Sequence, residues 1–305
     1  MKRHRKAPKE EPFPQKPSTR DVCQLLHTRP ADAHKGTMGH ALLVAGSRGM
    51  AGAAILSARS CLHSGIGKLT VHTPGANNVI LQCSVPEAIL HPDPDDAHLS
   101  QYTPTDKFQA VGIGPGIGTD ETTAEALHRY LTNCKAPMVL DADALNIIAS
   151  HPGWNNLIPA QTIITPHVGE FGRLTHPCDS PEERLELAQT YAREHHIYVV
   201  LKGHPSQICS PDGEVLSCPY GNSGMATPGS GDVLTGLVTG LLAQGYPPRE
   251  ASILGVWLHA RSGDFAAQRL GEEYMLAGDI VTHLSPAFHE LWEERDEAEG
   301  YPLPF

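Results

Sequence analysis

Short apolar or β-branched runs recur along the chain, and the stretches between several of them space their apolar residues as helices do. Residues 40–45, 69–73, 110–113, 138–140, 162–164 and 198–201 read as strands. Residues 52–64 read as a helix of small residues, and residues 121–131 and 181–195 as two more. The apolar run 233–242, behind a glycine-rich stretch, predicts a fourth. Alternation of this kind implies an α/β fold, with a mostly parallel central sheet flanked by helices. In such folds ligands collect beyond the carboxyl ends of the strands. The polar and glycine-rich motifs of this chain fall at those ends, and neither a repeat nor an internal domain break interrupts the pattern.

The most informative of these motifs is residues 222–236, Asn-Ser-Gly-Met-Ala-Thr-Pro-Gly-Ser-Gly-Asp-Val-Leu-Thr-Gly. Gly221, Gly224, Gly229 and Gly231 let the backbone turn tightly and approach a ligand closely. A glycine loop that opens a helix points unpaired N–H groups and the positive helix end at an anion. Asp232 stands at that same spot, where its charge would repel a phosphate. This suggests a general base beside a phosphoryl-transfer centre. A surface loop with a capping Asp is the open alternative.

Other clusters are less specific alone. Gly112-Ile-Gly-Pro-Gly-Ile-Gly118 follows a strand, yet Ile117 and Thr119 stand where a dinucleotide fingerprint needs glycine. A close backbone approach to some other ligand is the expectation. Leu140-Asp-Ala-Asp-Ala-Leu-Asn146 ends a strand with two acids, which serve either function or helix capping. His167 and Glu170 lie three residues apart at the next strand end. They share a face if a helix begins there, and Glu170 then either caps it or holds a magnesium-bound water. Lys202-Gly-His-Pro-Ser206 pairs a cation with a glycine, which suits a phosphate or a plain turn.

Composition narrows the class. The 305 residues are 40% hydrophobic and 19% charged, ordinary for a soluble globular protein with a sizeable core. No apolar run approaches a membrane span, and the start lacks the apolar core of a secretory signal. The seven cysteines are scattered without a Cys-x-x-Cys pair, which fits a reducing cytoplasm. Net charge is −11, although residues 1–20 hold seven basic side chains against two acidic ones. An anionic body excludes nucleic acid as the expected partner. The proline-rich, basic segment 1–20 reads as a flexible extension, residues 21–295 as one domain, and residues 296–305 as a C-terminal tail. The 18 histidines form no zinc signature, and no Walker loop or nucleophile elbow is present.

Taken together and in order, the motifs are specific. They run Lys35-Gly-x-x-Gly-His, Gly46-Ser-x-x-Met-Ala-Gly-Ala-Ala54, Ser64-Gly-x-Gly-Lys68, Gly114-Pro-Gly-x-Gly118, the 140–146 segment, Thr165-Pro-His-x-x-Glu-Phe171, Leu201-Lys-Gly203 and Gly221 to Asp232. Over roughly residues 20–293 the chain resembles the ADP/ATP-dependent (S)-NAD(P)H-hydrate dehydratases, a branch of the ribokinase-like superfamily. That family uses a nucleotide and magnesium to remove water from the S epimer of NADH or NADPH hydrated on the nicotinamide ring.

The resemblance implies that the hydrated nucleotide lies against Ala53, Gly116, Gly118, His167 and Glu170 and meets Asp232, the superfamily's catalytic aspartate. It implies that ADP or ATP contacts Lys202, Gly203, His204, Pro205, Ser206, Asn222, Thr227, Gly229, Ser230 and Gly231. Magnesium falls to Glu170, through water. A homotetramer is implied as well. Many relatives carry a fused epimerase domain, so a separate NAD(P)H-hydrate epimerase is the expected partner. Two features depart from the superfamily pattern: Pro228 stiffens the loop, and His167 replaces the usual Asn of Asn-x-x-Glu. The alternatives are a kinase of a small vitamin or sugar hydroxyl and a nucleotide-sensing module without turnover. The 165–167 segment and the alanine-rich residues 52–55 oppose the first. Asp232 and Glu170 oppose the second, because a pure binder needs neither.

Overall fold

Burial sorts the apolar runs into the two faces of a single sheet. The structure is a computed structural model that describes residues 15–299. Its strands are β1 (His40–Val44), β2 (Lys68–Pro74), β3 (Ile89–Asp93), β4 (Ala110–Ile113), β5 (Met138–Leu140), β6 (Ile163–Ile164), β7 (Tyr198–Leu201), β8 (Ser206–Cys209) and β9 (Val215–Cys218). They lie in the order β3-β2-β1-β4-β5-β6-β7-β8-β9. Pairing from β3 through β7 is parallel, and β8 and β9 add an antiparallel hairpin. The order reverses between β1 and β4, and that reversal opens the crevice where ligands of such sheets bind.

The helices are α1 (Thr19–Cys23), α2 (Ala51–His63), α3 (Asn78–Ser84), α4 (Glu121–Asn133), α5 (Ala142–Ser150), α6 (Val168–Leu174), α7 (Pro181–His195), α8 (Ser230–Ala243), α9 (Pro248–Leu270), α10 (Ala277–Thr282) and α11 (Leu284–Glu299). Helices α4 to α7 cover one face of the sheet. The others bury their apolar sides against the opposite face. Every residue of α8 from Val233 to Ala243 is buried, because α8 lies between α2 and the sheet. Gly236 makes that approach possible: a Cβ there would fall 1.9 Å from the Ser57 carbonyl oxygen of α2. The N-terminal part of α8, where the glycine loop ends, is thereby set beside the carboxyl end of β5, where Thr235 meets Asp141.

The six expected strands are all present, and three more join them. Strand β3 carries Pro92 and is mostly exposed, which an edge strand tolerates. Strands β8 (Ser-Gln-Ile-Cys) and β9 (Val-Leu-Ser-Cys) each have polar residues that interrupt the apolar run. The expected boundaries also shift. Gln15 donates its N–H to Val215 O at 3.1 Å and accepts from Ser217 N at 2.8 Å, which sets it beside β9. Ser18 caps α1, whose Val22 and Cys23 are buried. Residues 15–20, although mostly exposed, are thus tied to β9 and α1 rather than free, and the expectation for residues 1–14 lies outside the described residues. At the other end α11 runs to Glu299, past the expected boundary at 295. Arg295 ties it back by donating to Leu26 O at 2.9 Å. Residues 300–305 lie outside the described residues.

Candidate active site at the carboxyl ends of the strands

A cleft of about 720 Å³ opens over β5, β6 and β7. The loop after β9 and the start of α8 form one wall. Gly229 enters α8 at φ 91°, with no side-chain cap on the first turn. The first N–H groups of a helix have no partner within it, and here Ser230, Gly231 and Asp232 present that turn to the cleft. The lining also has an apolar part, with Tyr220, Met225, Leu234, Val256 and Ala260. A cleft with an anion cradle at one end and an apolar wall beside it suits a nucleotide.

Charge concentrates on the floor. Lys202, at the end of β7, donates from Nζ to Asp141 Oδ1 at 2.7 Å, and Glu170 Oε2 lies 3.5 Å from the same nitrogen. Burial opposes the Lys202 charge, yet Asp141 and Glu170 outweigh it and hold its pKa above the ordinary range. Asp141 is buried at the N-terminus of α5 and also accepts from Thr235 Oγ1 of α8 at 2.6 Å. Glu170 is buried too. Its Oε2 accepts the His167 backbone N–H at 2.7 Å, while His167 Nδ1 accepts the Gly169 N–H at 3.0 Å. Glu170 therefore caps α6 and also lines the cleft.

Asp232 differs from its neighbours. Among the described residues its carboxylate has no hydrogen-bond partner. Burial, and then the like charge of Asp141, pushes it up to about 7, while Lys202 pulls the other way. A carboxyl group poised near neutral pH and free of partners suits a general base.

Lys202, Gly203, His204, Ser206, Asn222, Thr227, Ser230 and Gly231 all line this cleft together with His167, Glu170 and Asp232. Gly229 instead faces Leu56 and Ala277, so it shapes the turn from behind. Pro205 belongs to the same hairpin turn but is not part of the lining. Ala53, Gly116 and Gly118 form a separate group near Asp143. A Cβ on Gly116 would stand 2.9 Å from Ala53 Cβ. Gly118 N–H donates to Asp143 Oδ2 at 2.9 Å, and Asn146 passes that contact on to Arg173. Asp141, at the N-cap of α5, lines the cleft, while Asp143 in the first turn of that helix holds Gly118.

Three site residues escaped the sequence reading. Asp141 was visible as one of two strand-end acids, but capping explained it equally well. Thr235 looked like one more residue of an apolar helix. His259 on α9 donates from Nε2 to the Ser230 carbonyl oxygen at 2.9 Å. Burial pushes its pKa down to about 4, so the neutral ring anchors the start of α8. A lone histidine inside a long buried helix was its only signal.

The donor set of the cleft is rich in carboxylate. Asp141, Glu170 and Asp232 share the one positive charge of Lys202, so the cluster has an excess of hard, anionic oxygen, which fits Mg²⁺. These carboxylates do not form a closed cage. Among the described residues the three ligand-type side chains that converge on one point are His176, Cys178 and Glu183, outside the cleft. Mg²⁺ commonly keeps its waters and binds through one or two carboxylates and substrate phosphates, and this open arrangement fits that mode.

The profile of the NAD(P)H-hydrate dehydratase family matches residues 41–286. A bifunctional NAD(P)H-hydrate repair enzyme of Moorella thermoacetica is 39% identical over 282 residues, which cover 88% of this chain and 53% of that enzyme. The chain thus spans about half the length of that relative. An ADP-dependent (S)-NAD(P)H-hydrate dehydratase of Neisseria meningitidis is 36% identical over 272 residues, covering 86% of this chain and 88% of that one. An ADP/ATP-dependent NAD(P)H-hydrate dehydratase from Bacillus subtilis, crystallised with ATP/Mg2+, superposes with a TM-score of 0.80 at 31% identity. That match covers 92% of this chain and 99% of the Bacillus chain. The fold is ribokinase-like, as the motif order implied.

Proposed function

This chain belongs to the NAD(P)H-hydrate dehydratase family, and on that premise we propose that it dehydrates the S epimer of hydrated NADH or NADPH at the expense of ADP or ATP. The observation that carries this reading is Asp232, a partnerless carboxyl pushed up to about 7 at the mouth of an anion-cradling helix. Asp232 takes the proton of the ring hydroxyl. The freed oxygen attacks the terminal phosphoryl group and releases the shortened nucleotide. The ring nitrogen then pushes out the phosphate ester, a far better leaving group than hydroxide. Loss of a proton from the adjacent ring carbon restores the dihydronicotinamide.

The remaining residues serve this sequence. The first-turn N–H groups of α8, with Asn222, Thr227, Ser230 and Gly231, hold the nucleotide phosphates. Residues 202–206 close the other side of the nucleotide. Lys202 holds Asp141 and Glu170 in place and balances their charge. Ala53, Gly116, Gly118, His167 and Glu170 receive the hydrated nicotinamide nucleotide. Glu170 would hold magnesium through its waters, and the bound ion would neutralise charge on the phosphoryl oxygens.

The reading extends to the partners. An epimerase activity supplies the S epimer, a reading supported by the bifunctional names of relatives. The protein works in the cytoplasm as a homotetramer. Exposed Val79, Ile80 and Ile89, on α3 and the edge strand β3, offer an apolar face for assembly. No helix among the described residues is long and apolar enough to cross a membrane.

The test is recovery of absorbance at the reduced-nicotinamide band from hydrated NADH, with ADP and ATP compared. Recovery that requires a nucleotide supports the reading. A stable phosphorylated vitamin or sugar, with no recovery, would favour the kinase instead.

A further inference from the structure

Behind the nucleotide loop lies a polar cluster that the chemistry above does not use. The loop residues Tyr220, Gly221 and Asn222 line the cleft with their front faces. From behind, Asp264 of α9 accepts the Gly221 N–H on Oδ2 at 3.2 Å and the Asn222 amide on Oδ1 at 3.1 Å. Asn222 Oδ1 in turn accepts the Gly224 N–H at 3.0 Å. Both ends of that amide are thus committed, and its orientation is determined.

Asp264 is itself held. Arg261 Nη1 donates to Asp264 Oδ2 at 3.3 Å. Its Nε and Nη2 grip Glu290 of α11 at 2.9 and 3.0 Å in a two-pronged pair. The same guanidinium lies 5.0 Å from the centre of the Tyr220 ring and 4.8 Å from that of Phe265. The Tyr220 hydroxyl shares a 3.0 Å hydrogen bond with Thr19 Oγ1 of α1. Arg261 and Asp264 are about one-fifth to one-quarter exposed, so solvent screens them only in part.

This arrangement meets two needs at once. A loop that binds phosphate through backbone N–H groups must already hold them in place, or binding has to supply the ordering. A carboxylate is the natural acceptor for fixing Gly221 and Asn222 from behind, yet its charge would repel the phosphates in front. Arg261 neutralises that charge and ties it to Glu290. We propose that Asp264, with Arg261 and Glu290 behind it, is the positioning residue that preorganises the nucleotide loop for ADP or ATP. This deepens the activity proposed above and rests on it.

The experiment uses the full chain and compares wild type with Asp264→Asn and Glu290→Gln, which keep the side-chain shapes. It measures kcat and KM separately for nucleotide and for hydrated NADH, and nucleotide binding by calorimetry. For Asp264→Asn the nucleotide KM and Kd should rise about tenfold, the order expected for a lost charge-assisted hydrogen bond. kcat should stay within about threefold, and the KM for hydrated NADH should not move. Glu290→Gln should raise the nucleotide KM less, because Asp264 and its loop contacts remain. Unmoved nucleotide KM and Kd in both folded variants overturn the proposal. So does a parallel loss in both KM values together with a lower Tm, which is general loosening. A wild-type chain inactive with either nucleotide overturns the proposed activity and this proposal with it.

Discussion

Lys202 Nζ and Asp141 Oδ1 lie 2.7 Å apart, although 61 residues separate them in sequence. Each residue follows a different parallel strand, β5 or β7, with β6 between them. The pair therefore spans the crevice at the floor of the cleft. Thr235 adds α8 to the same carboxylate, so one buried group joins two strand ends and the anion-binding helix. Asp232 sits beside this pair without joining it.

Removing the cation from such a pair costs more than the pair is worth, because it strands the partners. Lys202→Met should leave Asp141 and Glu170 buried without a counter-charge. The expected loss is about 3–5 kcal/mol of stability, the range for breaking a buried ion pair from one side. Urea unfolding at neutral pH would measure it. A Lys202 that only touched nucleotide would lower affinity and leave the urea midpoint in place.

The glycines near Ala53 separate close approach from mere conformation. Gly116 and Gly118 both have positive φ, 62° and 76°. A side chain at either position carries a left-handed strain of about 1–2 kcal/mol. Only Gly116 also lacks room, with Ala53 Cβ 2.9 Å and Met50 Cβ 3.1 Å from an added Cβ. Gly118 would meet nothing nearer than Ser47 Oγ at 3.9 Å. Gly116→Ala should therefore push the start of α2 and raise the KM for hydrated NADH several-fold above that of Gly118→Ala. Equal KM values in the two variants would remove Gly116 and Ala53 from the substrate side.

The parts of this fold that were legible in the sequence are those that packing dictates. The six strands that stood out are runs buried within the sheet, and α7 was bounded correctly because Ser180, Pro181 and the charged first turn mark its start. The site was legible where glycine and charge coincide, at 229–232 and 202–206. What stayed hidden depends on contacts distant in sequence. Nothing local to Asp141 separates a plain cap from the hub that binds Lys202 and Thr235. The Asp264, Arg261 and Glu290 cluster looks like ordinary helix-surface charge until α9, α11 and the loop after β9 come together. The docking of residues 15–19 was masked by proline and charge, since only Val22 and Cys23 bury themselves and they lie past the expected boundary.

That docking can be tested by truncation. A chain that begins at residue 20 loses the Gln15 pairing with β9, the Ser18 cap and the Thr19 contact with Tyr220. Cap loss alone costs about 1 kcal/mol. The truncated chain should melt at a lower temperature and bind nucleotide more weakly than one that begins at residue 15. Thr19→Val should reproduce part of the affinity loss with little change in Tm. Identical melting and affinity for the two truncations would show that residues 15–19 hold nothing in place.

Asp232 gives the sharpest expectation, because two independent measurements should move in linked ways. Asp232→Asn keeps the shape and deletes the base, and losing a general base costs about 10²–10⁴-fold in rate. Nucleotide affinity should hold or improve, since a repulsive charge beside the phosphates is gone. The pH dependence follows from the shift to about 7. The base works when deprotonated, so kcat/KM of the wild type should rise with pH and level off above about 7. Stability should run the other way. Between the ordinary carboxyl value of 3.8 and about 7 the folded state keeps a proton that the unfolded state has lost. Stability from this group is therefore full at low pH and declines as pH rises through that window. Asp232→Asn never titrates, so above pH 7 it should be more stable than the wild type by up to about 4 kcal/mol, and near pH 4 the advantage should vanish. Urea midpoints and turnover, measured on both proteins from pH 5 to pH 8.5, test both halves. A variant that turns over at the wild-type rate would reduce Asp232 to a helix-end charge, and parallel stability curves would place its pKa in the ordinary range.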